Sequence, residues 1–211
     1  MKSRLWGAVP LYRKPSMESK MKDNIKIILA SASPRRRELL AQIGLDFQVL
    51  VSEVEEKVNT DIPYLVVEQL SAQKAEAVAQ KLEKEEPALV IGADTIVVCD
   101  GQILGKPRDK EEAVQMLRKL NGRSHQVYTG VTLIFRDKTK TFYEATEVEF
   151  YSMTEEEIGA YVETLDPLDK AGAYGIQGFC ARYIKGITGD YNNVVGLPVG
   201  RLYQEMKRLF T

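Results

Sequence analysis

An aspartate stands in the middle of the apolar run ALVIGADTIVVCDGQIL, residues 88–104. Burying a carboxylate without a partner is expensive. Asp94 is therefore either satisfied locally, by the backbone or by Thr95, or kept for a reaction. Upstream, the stretch IKIILASASPRRRELL, residues 25–40, leads from an apolar run through the small residues Ser31 to Ser33 into Pro34 and the successive cations Arg35, Arg36 and Arg37. Ser33 and Pro34 fit the cap and first position of a helix, where cations oppose the positive end of the helix dipole. A bound phosphate would offset that opposition, because helix N-termini offer free N–H groups to anions. The alternative is a solvated basic turn. Glu53, Glu55 and Glu56 cluster where FQVLVSEV, residues 47–54, runs out; such carboxylates either hold a hard divalent cation or are simply solvated. Lys74 within a helical pattern and Lys106 in a Gly-Lys-Pro turn add local positive charge.

Composition limits what this chemistry can be. Among 211 residues, 29 basic and 30 acidic side chains leave a net charge of −1, so no global surface for a nucleic-acid polymer or a membrane is indicated. A single histidine, His125, argues against a zinc site and a Ser-His-Asp hydrolase, and any metal would be held by carboxylates. Cys99 and Cys180 lack metal-ligand spacing and cannot make a disulfide framework, which points to a reducing, cytoplasmic setting. No segment has the ~18 apolar residues of a membrane span.

The elements that must position these groups follow from periodicity. Residues 1–24 are basic, broken by Pro10 and Pro15, and read as an N-terminal extension, disordered or produced by an upstream start; residues 25–211 read as a single domain. Ile25 to Leu29 predict a buried strand, Leu39, Leu40 and Ile43 a helix ended by Gly44, and residues 47–54 a half-buried strand. Pro63 opens a long helix through Leu82. Residues 88–104 predict a strand and an Asp100-Gly101 hairpin turn. Asp109 and Glu112 predict a capped helix closed by Asn121-Gly122, and Thr154 and Glu157 a second capping box. Residues 124–136 and 141–151 predict an antiparallel hairpin with its turn at 137–140. From Pro167 to Gly200, seven glycines and few apolar repeats predict a long functional loop, after which Pro198 opens the last helix.

Basic groups in turns, an acidic cluster, an aspartate inside a strand and a glycine-rich loop together suit a polyphosphate with a divalent metal. There is no GxxxxGK[ST], so a P-loop enzyme is not indicated. SASPRRREL, SEVEE, GADTIVV, LGKPRD, LDPLDKAGAYGIQG and GDYNNVVGLP, in that order across residues 25–211, resemble the Maf family of nucleoside triphosphate pyrophosphatases. The resemblance implies an α/β fold of the Maf and inosine-triphosphatase type: an elongated mixed β-sheet flanked by helices, in two lobes with a central cleft. It implies hydrolysis between the α- and β-phosphates with Mg²⁺ or Mn²⁺, a homodimer, and a role in nucleotide-pool cleansing or cell-division arrest.

Carried over by motif, Asp94 takes the place of the catalytic base. Arg35, Thr95 and Gln177 fall where the family sets base specificity. Ser31, Ser33, Arg36, Lys74 and Lys106 match positions lining the site, and Glu56, with its neighbour Glu55, joins Asp94 as metal ligand; Asp190 is a weaker candidate. The run Tyr174-Gly175-Ile176-Gln177 resembles members selective for dTTP and UTP, and a glutamine amide can both donate to and accept from a pyrimidine edge. The alternatives are a preference for 7-methyl-GTP or another modified nucleotide, and a nucleotide-binding regulator of septum formation with an unknown cell-division partner.

Overall fold

A computed structural model describes residues 25–82 and 88–210, so the predicted extension at residues 1–24 lies outside the described residues. Seven strands form one mixed sheet in the order β2-β1-β3-β5-β6-β7, with β4 paired to β3. The strands are β1 Lys26–Leu29, β2 Gln48–Val49, β3 Ala88–Cys99, β4 Gln102–Leu104, β5 Ser124–Phe135, β6 Lys138–Phe150 and β7 Ile184–Thr188. The helices are α1 Pro34–Gln42, α2 Pro63–Ala79, α3 Lys110–Leu120, α4 Glu155–Glu163, α5 Tyr191–Val195 and α6 Val199–Leu209. β1 runs parallel to β2 and β3, and the other pairings are antiparallel.

The chain leaves β1 through α1 to reach β2 on one side, then returns through α2 to β3 on the other. A crevice opens at such a reversal, beyond the carboxyl end of the strand, and is the usual ligand site of open α/β sheets. β1 is short and buried on both faces, as its continuous apolar run requires: Ile27 and Leu29 enter one core cluster, Ile28 and Ala30 another.

One face of β3 divides between two cores. Leu89, Ile91 and Ala93 pack with Leu39 and Leu40 of α1 and Leu202 and Met206 of α6. Val97 and Cys99 pack with Leu117 and Leu120 of α3 and Ile158 and Tyr161 of α4. Thr95 falls in the interval, so the two lobes and the cleft between them follow from which side chains of one strand are apolar. The opposite face carries α2, through Ala75 and Val78 against Val90 and through Val66, Val67 and Leu70 against Ile96 and Val98. Two glycines let this helix lie flush on the sheet. A Cβ at Gly92 would stand 2.3 Å from the Ser71 carbonyl oxygen, and one at Gly130 2.2 Å from that of Val67.

Several local expectations are corrected. The strand expected over residues 47–54 is only Gln48–Val49, because β1 stops at Leu29 and leaves nothing further to pair with; residues 50–62 have no regular structure. Ser33 precedes α1 as expected, but its hydroxyl makes no capping bond; its amide instead donates to Ser31 Oγ at 3.3 Å. The β5–β6 turn is just Arg136-Asp137, with Arg136 at φ 56°, so β6 begins three residues earlier than its polar start suggested. The long loop holds 3₁₀ turns at Asp166–Asp169, Ala171–Ala173 and Gly178–Tyr183, then β7 and α5. Asp100-Gly101 makes the expected tight turn with φ of 51° and 73°, and both the Asp109 cap and the Thr154–Glu157 capping box form. Among the described residues no helix is long and apolar enough to cross a membrane.

Candidate active site

β3 outruns β1. Its pairing with β1 ends at Ile91, and its pairing with β4 begins at Val97, so residues 92–96 present an open edge just beyond the carboxyl end of β1. A pocket of about 410 Å³ occupies this gap, a size suited to a small-molecule ligand. The β1–α1 turn forms one wall, Asp94 and Thr95 the floor, Lys74 of α2 one side, and the segment from Asp169 to Gln177 the far wall.

At one end the charges are paired. Lys74 Nζ donates to Asp94 Oδ1 at 2.5 Å and lies 2.9 Å from Glu56 Oε1. Asp94 and Lys74 keep only 14% and 17% of their side-chain surface exposed, which makes this a partly desolvated pair. The expected local partner of Asp94, Thr95, plays no part in it: neighbouring strand residues point to opposite faces, and Asp94 turns toward α2. Gly92, two residues earlier on the same face, is what brings that helix close enough.

At the other end stands a cation with no salt-bridge partner among the described residues. Arg36 donates from Nε to the Gly196 carbonyl at 2.8 Å, from Nη1 to Ser31 Oγ at 2.9 Å and from Nη2 to Thr95 Oγ1 at 3.0 Å. All three acceptors are neutral. Burial disfavours the charged guanidinium and lowers its pKa, an effect the more distant Asp94 opposes. Thr95 Oγ1 also meets Thr129 Oγ1 at 3.0 Å, so it serves as a strut for Arg36. Lys106 is exposed at the pocket and makes no ion pair among the described residues. Ser33 lines the same wall and Gln177 stands exposed at the rim, and neither side chain has a hydrogen-bond partner among the described residues.

The structure thus gathers Ser31, Ser33, Arg35, Arg36, Lys74, Asp94, Thr95, Lys106 and Gln177 around one cavity. Glu56 reaches it through Lys74. Glu55 does not join them: its side chain is 82% exposed and pairs with Lys57. Among the described residues no three Asp, Glu, His or Cys side chains come close enough together to hold a metal ion by themselves. Glu56 and Asp94, already converging on one positive centre, have the chemistry for a hard cation whose other ligands are water and phosphate. Asp190 caps α5, accepting from the Asn192 amide at 2.7 Å, and does not line the pocket.

Three contributors, Asp169, Lys170 and Gly196, escape sequence reasoning. Asp169 Oδ2 accepts from Arg35 Nη1 at 3.0 Å across the pocket mouth. Burial raises the pKa of Asp169, but hydrogen bonds from Lys170 and Arg35 outweigh it and leave the carboxyl below its ordinary range. Lys170 lines the pocket yet is only 8% exposed. Gly196 contributes a carbonyl, for which no side chain could give a signal; Lys170 and Asp169 sat within the singled-out DKAGAYGIQG run. Tyr174, also in that run, meets the lone histidine, its hydroxyl 2.7 Å from His125 Nε2. Both are buried, and burial pushes His125 down to about 4. His125 is therefore a neutral core residue. Burial also raises Cys99 and pushes Cys180 up to about 12, and both remain free thiols.

Comparison with known proteins gives the family of the chain. The chain is 54% identical over 199 positions to a protein of Agathobacter rectalis named dTTP/UTP pyrophosphatase, covering 87% of this chain and 97% of that one. A Bacillus anthracis protein of the same name is 54% identical over 184 positions, 87% of this chain and 95% of the relative. Among solved structures, the Staphylococcus aureus Ham1 protein aligns over 75% of this chain and 79% of its own at 21% identity, with a TM-score of 0.46, too low to carry weight. The family model described as Maf-like protein matches residues 26–209, and with that match spanning nearly all of the described structure the chain belongs to the Maf-like protein family.

Proposed function

We propose that this chain is a nucleoside triphosphate pyrophosphatase that hydrolyses dTTP and UTP to the monophosphate and pyrophosphate. One observation carries the reading: a half-buried guanidinium with only neutral partners shares a pocket with a lysine-paired carboxylate. The first calls for an anion and the second is placed to accept a proton. The names of the relatives supply the pyrimidine substrates.

In this mechanism the triphosphate lies along the Ser31–Arg36 turn, with Arg36 and Lys106 taking up the negative charge of the phosphates. Lys74 occupies Oδ1 of Asp94, and Oδ2 accepts the proton of the water that attacks the α-phosphorus. The α–β phosphoanhydride bond breaks, and pyrophosphate leaves with the electron pair. Charge developing on that leaving group meets donors fixed in advance, the largest single source of catalysis in such sites. Asp94 and Glu56 would hold Mg²⁺ or Mn²⁺, which would neutralise phosphate charge and make the water more acidic. Gln177 and the free N–H groups of Arg35 at the rim are left to address the base and sugar. The same reading takes the enzyme to be a cytoplasmic homodimer, which the mass of the purified protein and cell fractionation would check.

The deciding experiment is pyrophosphate release from a panel of canonical and modified triphosphates, with Mg²⁺ or Mn²⁺, for wild type and Asp94→Asn. Turnover of dTTP and UTP above the others, lowered ~10²- to 10⁴-fold by Asp94→Asn as for loss of a general base, is the expected result. A preference for 7-methyl-GTP, or tight retention of the nucleotide without turnover, would replace the pyrimidine reading. Near wild-type release by Asp94→Asn would remove Asp94 as the base.

A further inference from the structure

Lys170 lines the pocket, and its position in a polar cleft suggests another cation for phosphate. Its bonding shows otherwise. Nζ donates to the Asp166 carbonyl oxygen at 2.6 Å, to Asp166 Oδ1 at 2.9 Å and to Asp169 Oδ1 at 2.6 Å. An ammonium has three donors, so none is left for a ligand. A lysine so fully buried and so fully used is there to hold something in place.

What it holds lies on both sides of the ammonium, along the far wall of the cleft. On one side Asp169, gripped at Oδ1 by Lys170, turns Oδ2 to Arg35 Nη1 at 3.0 Å. Arg35 is on α1, packed in one lobe, and its other N–H groups have no partner among the described residues. On the other side the lysine stem runs against Gly175: a Cβ there would stand 2.7 Å from Lys170 Cε and 2.9 Å from Cδ. Two residues later the same backbone presents Gln177 at the rim. The base of the assembly is tied to the core. Tyr161, fully buried in the second lobe, donates to Asp166 Oδ2 at 2.9 Å and accepts from the Gly175 amide at 3.2 Å.

We propose that Asp169 and Lys170 are positioning residues for nucleobase selection: one buried ammonium fixes both the carboxylate that aims Arg35 and the backbone that carries Gln177. This rests on the preceding reading, in which Arg35 and Gln177 address the nucleoside. Neither Asp169 nor Lys170 need touch the base. With Asp169 removed, Arg35 loses its tether and samples other rotamers, so contact with the correct base weakens while contact with a wrong base, weak already, changes little.

The test is a matrix of kcat and KM for dTTP, UTP, dCTP and dATP on wild type, Asp169→Ala, Asp169→Asn, Arg35→Ala and Arg35→Ala/Asp169→Ala. Asp169 is 58% exposed on its side chain, and Lys170 keeps its two bonds to Asp166 when Asp169 is replaced, so these changes are expected to leave the fold intact, which thermal melts verify. Asp169→Ala is expected to lower the preference for dTTP over dCTP on the order of fivefold to tenfold, the size of coupling between residues in one network, with KM for dTTP rising more than kcat falls. Asp169→Asn, which keeps an oxygen acceptor, should fall between Ala and wild type. In the Arg35→Ala background, loss of Asp169 should add less than twofold. An equal loss for all four nucleotides, or a full additional loss on top of Arg35→Ala, overturns the proposal. If wild type prefers a different triphosphate, the pyrimidine reading fails, and the same ratios taken against that nucleotide still decide the role of Asp169.

Discussion

Replacing Arg36 with methionine should separate the fold from the site more cleanly than any other single change. The side chain makes three hydrogen bonds, which ordinarily marks a structural arginine whose loss is costly. Here the donors meet a carbonyl and two hydroxyls. Thr95 Oγ1 retains Thr129 at 3.0 Å and the Gly196 carbonyl at 3.5 Å after the change, and Ser31 Oγ retains the Ser33 amide. Against the lost bonds stands relief from a desolvated cation that has no salt-bridge partner among the described residues, since taking an ion out of water is costly. Bonds from a charged donor are worth ~1.5–3 kcal/mol each, but relief from the desolvation of the cation, several kcal/mol per ion, offsets most of that, so we expect folding stability to change by no more than about 1 kcal/mol. Ligand binding should behave oppositely. A charge-assisted bond to phosphate contributes ~1.5–3 kcal/mol, so KM for dTTP and Kd for pyrophosphate should rise ~10- to 150-fold at ~1.4 kcal/mol per decade. Chemical denaturation gives the first quantity, calorimetric titration with pyrophosphate the second. Wild type should also gain thermal stability with saturating pyrophosphate, while Arg36→Met gains much less. A loss of several kcal/mol of stability with unchanged pyrophosphate affinity would refute the argument and make Arg36 a strut.

Two further outcomes test the frame around the site. Gly92→Ala would drive a methyl to 2.3 Å from the Ser71 carbonyl oxygen and 2.8 Å from Ala75 Cβ, so α2 must back away and take Lys74 with it. Overpacking of this kind costs ~1–3 kcal/mol, and activity should fall with the denaturation midpoint; an unchanged midpoint would show that the helix is not seated as described. His125 is held neutral by burial down to about 4 from an ordinary 6.5. The unfolded chain therefore takes up a proton first, and stability is lost as pH falls from 6.5 through 4, by up to roughly 3 kcal/mol. His125→Gln should flatten that slope relative to wild type, and identical acid slopes in the two proteins would contradict it.

Part of this architecture is written in single residues, and that part was legible. Pro34 and Pro63 start helices where their fixed φ and missing N–H cost nothing; Asp100-Gly101 turns the chain because both residues tolerate positive φ. The position of Asp94 in an apolar strand announced a partner, but not which one. Lys74 lies twenty residues away, and it reaches Asp94 only because Gly92 and Gly130, on two different strands, lack side chains under α2. No periodicity in either strand encodes that approach. The acidic stretch failed for a related reason: alternation in residues 47–54 signals a strand, yet a strand needs a neighbour, and β1 ends at Leu29. That same early ending opens the edge of β3 and makes the pocket. The strand that did not form and the cavity that did are therefore one event, set by where the apolar run IKIILA gives way to small residues. The small residues do not hold the ligand by themselves. They end β1, and the space left beside β3 is where Arg36, Lys74 and Asp94 can meet a substrate.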